Sequence, residues 1–399
     1  MSLPLEKFRL AKSLIHNRDG VFVNHSGKDE QSIPARQFFL DAACPQAFID
    51  YVLTQTNQWR DFCGENTNVY KGSVKKIDSF LVNALEAPYG LANGSLDHVY
   101  HHGFNRHDKK HIGKVVKNTT ALLQAGGYGK DVQRRALIAA RGHDLGNILS
   151  RNLHSLVSPY ILSTVIEQVL PDKNLDITSK KRIDQAQQWR TIRRAIQLHN
   201  EPVAKGLIDS FQITSEKELI EEIMKRFGPE ALALIIADKT DVGPHRLSEK
   251  ASGQDAVDQD PHLAVNLLGK TKEIGLSHDG KSFVWKLDFT PGKAKDARFA
   301  VDSHVRNGRR SSVPEEWHKL HSEHGIPHFS TWKAKFWELY YDRIILTIRS
   351  VFALYPKVST FEIVIRDIDD DETSTSRFQR EKLNYEFLKI KHVPKEKRD

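Results

Sequence analysis

Cysteine is almost missing from this chain: Cys44 and Cys63 are the only two in 399 residues. Two thiols cannot staple a chain of that length, so a disulfide framework is excluded. Long apolar runs are missing as well. No window reaches the ~18 uncharged apolar residues that a membrane span requires. Residues 1–20 lack the apolar core of a secretory leader, so the chain is expected in the cytoplasm, with no membrane partner. There is no repeat at a fixed period, which argues against a solenoid. A long basic tail of the kind that grips DNA nonspecifically is also missing.

What is present is ordinary in bulk: 39% apolar and 28% charged residues, enough for a real core in two or three domains. Lysine and arginine outnumber the acids 59 to 51, giving a net charge of +8. That excess favours an anionic partner such as a phosphate ester or nucleic acid, or else it is a solvated basic surface. The charge is dispersed in short clusters near 75, 109, 180, 193 and 309. Nineteen histidines against two cysteines point to imidazole and carboxylate ligands if a metal is bound.

Residues 1–98 read as a mostly helical lead-in without a chemical motif; His25 and Cys63 stand alone there. Residues 99–250 read as a succession of helices. Ile112, Val115, Val116, Thr119, Leu122 and Leu123 recur at helical spacing until Gly126 and Gly127. Val132, Ala136, Leu137, Ala139 and Ala140 form the next helix, and Leu156 to Val169 a third. Trp189, Ile192, Ala195, Ile196 and His199 share a face of a fourth, and Pro229 opens a fifth. Residues 251–262 are expected as a linker or loop, and 263–366 as an α+β domain. Its signals are the alternation of Phe283, Trp285, Leu287 and Phe289, a long amphipathic helix from Phe336 to Tyr355, and a second alternation at Phe361, Ile363 and Ile365. Residues 367–399 read as a charged, partly mobile tail.

The stretch RGHDLGN, from Arg141 to Asn147, stands out because it sets His143 directly before Asp144 at the end of an alanine-rich helix. Such a pair loses hydration in a core unless something compensates, and a metal ion would do so. Every helix just described carries a similar residue near an end: His111, His143 with Asp144, His154, His199 and Asp238. Each alone reads as a hydrogen-bonded core residue. Together they meet only if the helices bundle around one centre, which is how helical bundles build metal sites.

The order H, HD, D carried by His111, His143–Asp144 and Asp238, in the contexts HIGKVV, LIAARGHDLGN and LALIIADKTD, resembles the HD-domain superfamily of metal-dependent phosphohydrolases. The likeness spans roughly residues 100 to 250. His154 in HSLVSPYIL and His199 in AIQLHNE resemble the extra histidines of its two-metal branch. That branch includes cyclic-dinucleotide phosphodiesterases with an added GYP motif. Here Asn200 stands where a second histidine would follow, no GYP occurs, and Asn147 replaces the lysine often found after the HD turn, so cyclic-di-GMP is disfavoured.

The resemblance implies a mainly α fold, with an HD-type helical bundle core between the lead-in and the α+β region. It implies hydrolysis of a phosphate ester or anhydride of a nucleotide-type substrate by a metal-activated hydroxide, with Asp144 and His143 as catalytic residues. His111, His143, Asp144 and Asp238 would hold one cation, and Asp144, His154 and His199 a second, Asp144 bridging them because a carboxylate has two oxygens. One or two divalent ions of Mn, Fe, Ni, Co or Zn fit such donors. Lys239, Arg246 and Arg194 are candidate phosphate anchors, with a solvated surface role equally open. His107, one helical turn before His111, is read as reaching metal or substrate, or as merely exposed. Asp241 orients a ligand or caps the turn. Two alternatives remain: a single-strand nuclease, which the basic residues permit, and a nucleotide-sensing HD module without turnover. The oligomeric state is left open.

Overall fold

In a computed structural model of the chain, the described residues are 81, 82, 85, 109–148, 154–156, 158, 159, 161, 162, 179–211, 213, 215–247, 261–290, 332–368, 371 and 373–380. Among them, helices α1 (Lys109–Ala125), α2 (Lys130–Gly142), α3 (Ser179–Leu198), α4 (Glu201–Asp209), α5 (Glu216–Lys239) and α6 (Pro261–Leu268) precede a sheet. The sheet holds β1 (Gly269–Leu276), β2 (Ser282–Phe289), β3 (Thr360–Asp367) and β4 (Thr373–Gln379), with helix α7 (Trp332–Leu354) between β2 and β3. The architecture is mainly helical with a small C-terminal sheet. The lead-in lies outside the described residues apart from Leu81, Val82 and Leu85, of which the two leucines are buried in the core.

The second half of α5 is the axis of the helical part. Residues 231 to 237, ALALIIA, are completely buried, and a helix apolar on every side must be surrounded. It packs against α1, α2, α3 and α7. Small side chains, Ala231, Ala233 and Ala237 on α5 with Ala136, Ala139 and Ala140 on α2, let the helices approach closely. The axis is a fresh start after a break. Gly228 takes a left-handed φ of 76°, a conformation glycine adopts without steric cost, and Pro229 opens the second half, where the sequence pattern placed it. Likewise Gly127 (φ 72°) ends α1, and Tyr128 N donates back to Leu123 O at 3.0 Å.

The sheet runs in order β1-β2-β3-β4, with antiparallel outer pairs and a parallel pair in the middle. Alternation along β2 buries Phe283, Trp285, Leu287 and Phe289. In register opposite them, β3 buries Phe361, Ile363, Ile365 and Asp367. Phe283 stacks on Phe361 with ring centroids 5.6 Å apart, and also meets Tyr355 at 5.9 Å. The Tyr355 hydroxyl donates to Leu122 O at 2.7 Å, while the Tyr128 hydroxyl donates to Leu354 O at 2.9 Å. Helices and sheet therefore share one core.

Helix α7, from the region expected as α+β, packs on α5, and its apolar face joins the helical core. The charged tail expected from 367 contains β4, which carries little apolar pattern of its own. It is held by pairing with β3, burial of Phe378, and an Arg377–Glu362 ion pair across the strands at 3.2 Å. As for the expected linker, α6 begins within it at Pro261, and residues 248–260 lie outside the described residues.

Candidate metal centre

Helix ends build the site. His111 lies in the first turn of α1, His143 is the C-terminal cap of α2, His199 follows the last residue of α3, and Asp238 sits in the last turn of α5. Asp144 begins the turn after α2, and His154 enters from a helical piece nearby. All six are buried. The structure thus brings together six of the side chains singled out in sequence, from segments spread between 111 and 238.

Their donor atoms face one another. His143 Nε2 is 3.1 Å from Asp144 Oδ2 and 3.8 Å from Asp238 Oδ1, and His111 Nε2 is 3.5 and 3.4 Å from the same two oxygens. The other oxygen of Asp144, Oδ1, lies 3.5 Å from His154 Nε2 and 3.7 Å from His199 Nε2. Asp144 therefore divides its two oxygens between two groups of imidazoles. Donors that share one ion at bond lengths of about 2.0–2.2 Å stand roughly 3.0–3.5 Å apart, close to these separations.

The far side of each ring decides what the near side offers. His143 Nδ1 donates to Ala140 O at 2.8 Å, and His199 Nδ1 donates to Ile196 O. A carbonyl only accepts, so both rings carry a proton on Nδ1 and leave Nε2 to face the carboxylates. His111 Nδ1 likewise donates to the Asp241 carboxylate at 2.7 Å. Among the described residues, the buried His143 Nε2 has no conventional hydrogen-bond partner and is left facing the Asp144 and Asp238 carboxylates as an ion-pair contact. His199 Nε2 stands 3.0 Å from His154 Nε2, a separation that calls for a proton or a cation between them. Imidazoles and carboxylates buried this close together are costly without compensation, and a metal ion removes the cost.

Protonation tells the same story. Burial pushes His143 down, but the Asp144 and Asp238 carboxylates outweigh it and lift the ring to about 10. Burial and Arg246 oppose a proton on His111, yet Asp144, Asp238 and Asp241 together raise it. At His199 burial wins and lowers the pKa. Burial would raise Asp238, but Lys239 beside it, with His111 and His143, holds it well below the usual carboxylate range. The carboxylates demand positive charge at this point, and a divalent cation supplies it without protons. His111, His143, Asp144, His199 and Asp238 form a buried cluster that can hold a metal ion.

The chain matches no family model, no curated protein and no solved structure.

The other expected residues divide. Lys239 donates to Asp238 Oδ2 at 2.7 Å, beside the cluster. Arg246 is buried and donates to Asp241 O at 3.2 Å, so its guanidinium braces the turn after α5. Arg194 is exposed on α3, beside Arg226. His107 lies outside the described residues. Asp241 orients His111, and it also accepts from Lys114 Nζ at 3.2 Å and His245 Nε2 at 3.0 Å.

The glycines flanking the HD pair, and the residue that latches it, have steric and polar reasons. A Cβ on Gly146 would fall 2.2 Å from His154 O, and one on Gly142 would fall 2.4 Å from a Leu162 methyl. Only glycine lets the HD turn approach the segment that carries His154. Ser158 latches the two by donating to His143 O at 2.7 Å and accepting from Gly146 N at 2.8 Å. Asn147, where the resembled family often has lysine, donates to Asp144 O at 2.9 Å. Sequence reasoning missed Ser158, Lys114 and His245. A serine one turn beyond His154 and a histidine four residues after Asp241 were the signals available.

Proposed function

We propose that the chain is a metal-dependent phosphohydrolase or phosphodiesterase of HD type, acting on a phosphate ester or anhydride of a nucleotide-type substrate. The observation that carries this reading is the buried convergence of His111, His143, His154 and His199 on the Asp144 and Asp238 carboxylates, with His143 Nε2 lacking a conventional hydrogen-bond partner among the described residues. His111, His143, Asp238 and Asp144 Oδ2 would hold one divalent ion, and His154, His199 and Asp144 Oδ1 a second. Nitrogen and oxygen donors in this mix suit Mn²⁺, Fe²⁺, Co²⁺, Ni²⁺ or Zn²⁺. A bound cation supplies Lewis acidity that brings water deprotonation near neutral pH and offsets charge on phosphoryl oxygens.

The protein's own groups do the rest. Ala140 O, Ile196 O and Asp241 fix the rings so that basic nitrogens face inward. Lys239 and Lys114 flank the cluster, one on Asp238 and one on Asp241, and provide cationic donors for phosphate oxygens. We place the activity in the cytoplasm, in keeping with the scarcity of cysteine.

The test is elemental analysis of the purified protein, then activity with added metal on nucleoside mono- and triphosphates, cyclic dinucleotides, dinucleoside polyphosphates and single-stranded oligonucleotides. Turnover of small nucleotides is expected. Oligonucleotide cleavage alone would make the chain a nuclease, and binding without turnover a sensing module. Asp144→Ala should lose both metal and hydrolysis while the helical circular dichroism persists. Unchanged metal content in that variant refutes the assignment.

A further inference from the structure

The polypeptide that follows the last expected ligand is tied to the sheet. The turn at 240–243 leaves α5 just after Asp238, carries Asp241, and runs alongside β1. Thr271 N donates to Val242 O at 2.9 Å. The Thr271 hydroxyl donates to Thr240 O and accepts from Val242 N at 3.3 Å and Trp285 Nε1 at 3.2 Å. A hydroxyl has one donor and two acceptor sites, so this one is used to capacity. Asn266, at the end of α6, adds a bond from Gly243 N at 3.0 Å.

Strand β1 is irregular at this point. Its register against β2 shifts between Thr271 and Glu273, where Thr271 pairs with Leu287 and Glu273 with Lys286. A bulge of this kind re-aims a side chain and costs ladder bonds, and bulges concentrate beside functional sites. Here the strand gives up regular pairing where its hydroxyl reaches the turn.

From these contacts we infer that Thr271 is a positioning residue for the metal centre: through the turn at 240–243 it sets Asp241, and Asp241 sets the ring of His111. The inference rests on the proposed function, since it assigns a task within the same site. It also gives the C-terminal sheet a role, because the strut that aligns a ligand of the helical part comes from β1. Trp285 takes part by donating to the same hydroxyl, so the buried face of β2 reads through to the turn.

Cobalt titration of the full-length protein tests this, with affinity taken from the visible absorption of bound Co²⁺ and melting recorded for every variant. Thr271→Val removes the hydroxyl and keeps the shape; Thr271→Ser keeps the hydroxyl. We expect Thr271→Val to weaken cobalt binding about tenfold, the lower end for groups behind metal ligands, and Thr271→Ser to stay close to wild type. Phe378→Leu, on β4 at the opposite edge of the sheet, is the control for lost stability. It should lower the melting temperature and leave cobalt affinity unchanged. Wild-type affinity in Thr271→Val overturns the inference, as does equal loss in Phe378→Leu at matched melting temperature. A wild-type chain that takes up no cobalt would instead remove the metal reading itself, and the positioning role with it.

Discussion

Replacing Asp241 with asparagine tests how the first imidazole is set. Asp241 is buried, its Oδ2 accepts from His111 Nδ1 at 2.7 Å, and Lys114 and His245 also donate to its carboxylate. The amide keeps the size and loses the charge. A hydrogen bond to a charged partner contributes about 1.5–3 kcal/mol, and every 1.4 kcal/mol is tenfold in affinity, so Asp241→Asn should weaken metal binding by roughly ten- to a hundredfold. If the amide turns its NH₂ towards His111, the ring must accept at Nδ1 and carry its proton on Nε2, which faces Asp144 and Asp238. That tautomer cannot bind a cation there. The assay is competition for Zn²⁺ against a chromogenic chelator, with circular dichroism to show that the helices persist. Lys114 is about one-third exposed, so losing its partner adds little. A dissociation constant within twofold of wild type would show that Asp241 does not orient His111.

Two further outcomes follow from the same geometry. In Gly146→Ala the new Cβ meets the backbone of His154, which cannot swing aside as a side chain would. Overpacking of this kind costs about 1–3 kcal/mol, so melting temperature and metal retention should both fall, whereas Gly113→Ala, whose Cβ meets no atom of the described residues, should lose neither. Equal behaviour of the two variants in scanning calorimetry and elemental analysis would count against the close approach. The chelated protein should also lose stability towards alkaline pH. The folded value of His143 is about 10 against 6.5 for an ordinary imidazole, so its proton stabilises the folded chain fully below pH 6.5, and that stabilisation is lost as pH rises through 10. A cation that replaces the proton removes this dependence, so melting curves taken with and without metal should diverge across that range. Parallel curves would contradict it.

The candidate ligand residues were legible because each is a polar side chain at the end of an apolar helix, a pattern visible one segment at a time. Strands β2 and β3 were legible from strict alternation, and the end of α7 from Pro356. The remainder depends on partners distant in sequence. Strands β1 and β4, GKTKEIGL and TSTSRFQ, lie at the sheet edges and bury few apolar residues, so their hydrophobic signal is thin. Helix α4 and the first half of α5 are short or heavily charged, and their caps, Asn200 and Ser215, were the better clue. That Ser158 would latch the HD turn, or that Arg246 would brace a turn instead of facing solvent, follows from which segments meet in space, and local patterns carry no record of that.

The paired tyrosine bonds between the end of α1 and the end of α7 bear on how this molecule can be dissected. Each of these helix ends buttons onto the other through a phenol, Tyr128 onto Leu354 and Tyr355 onto Leu122, across more than two hundred residues of sequence. A fragment trimmed to residues 99–250 would keep every proposed ligand and lose both fastenings. It would also bare the flank of α5 against which α7 lies. The smallest piece worth isolating is therefore set by the fastening, and it is considerably longer than the stretch that carries the proposed ligands.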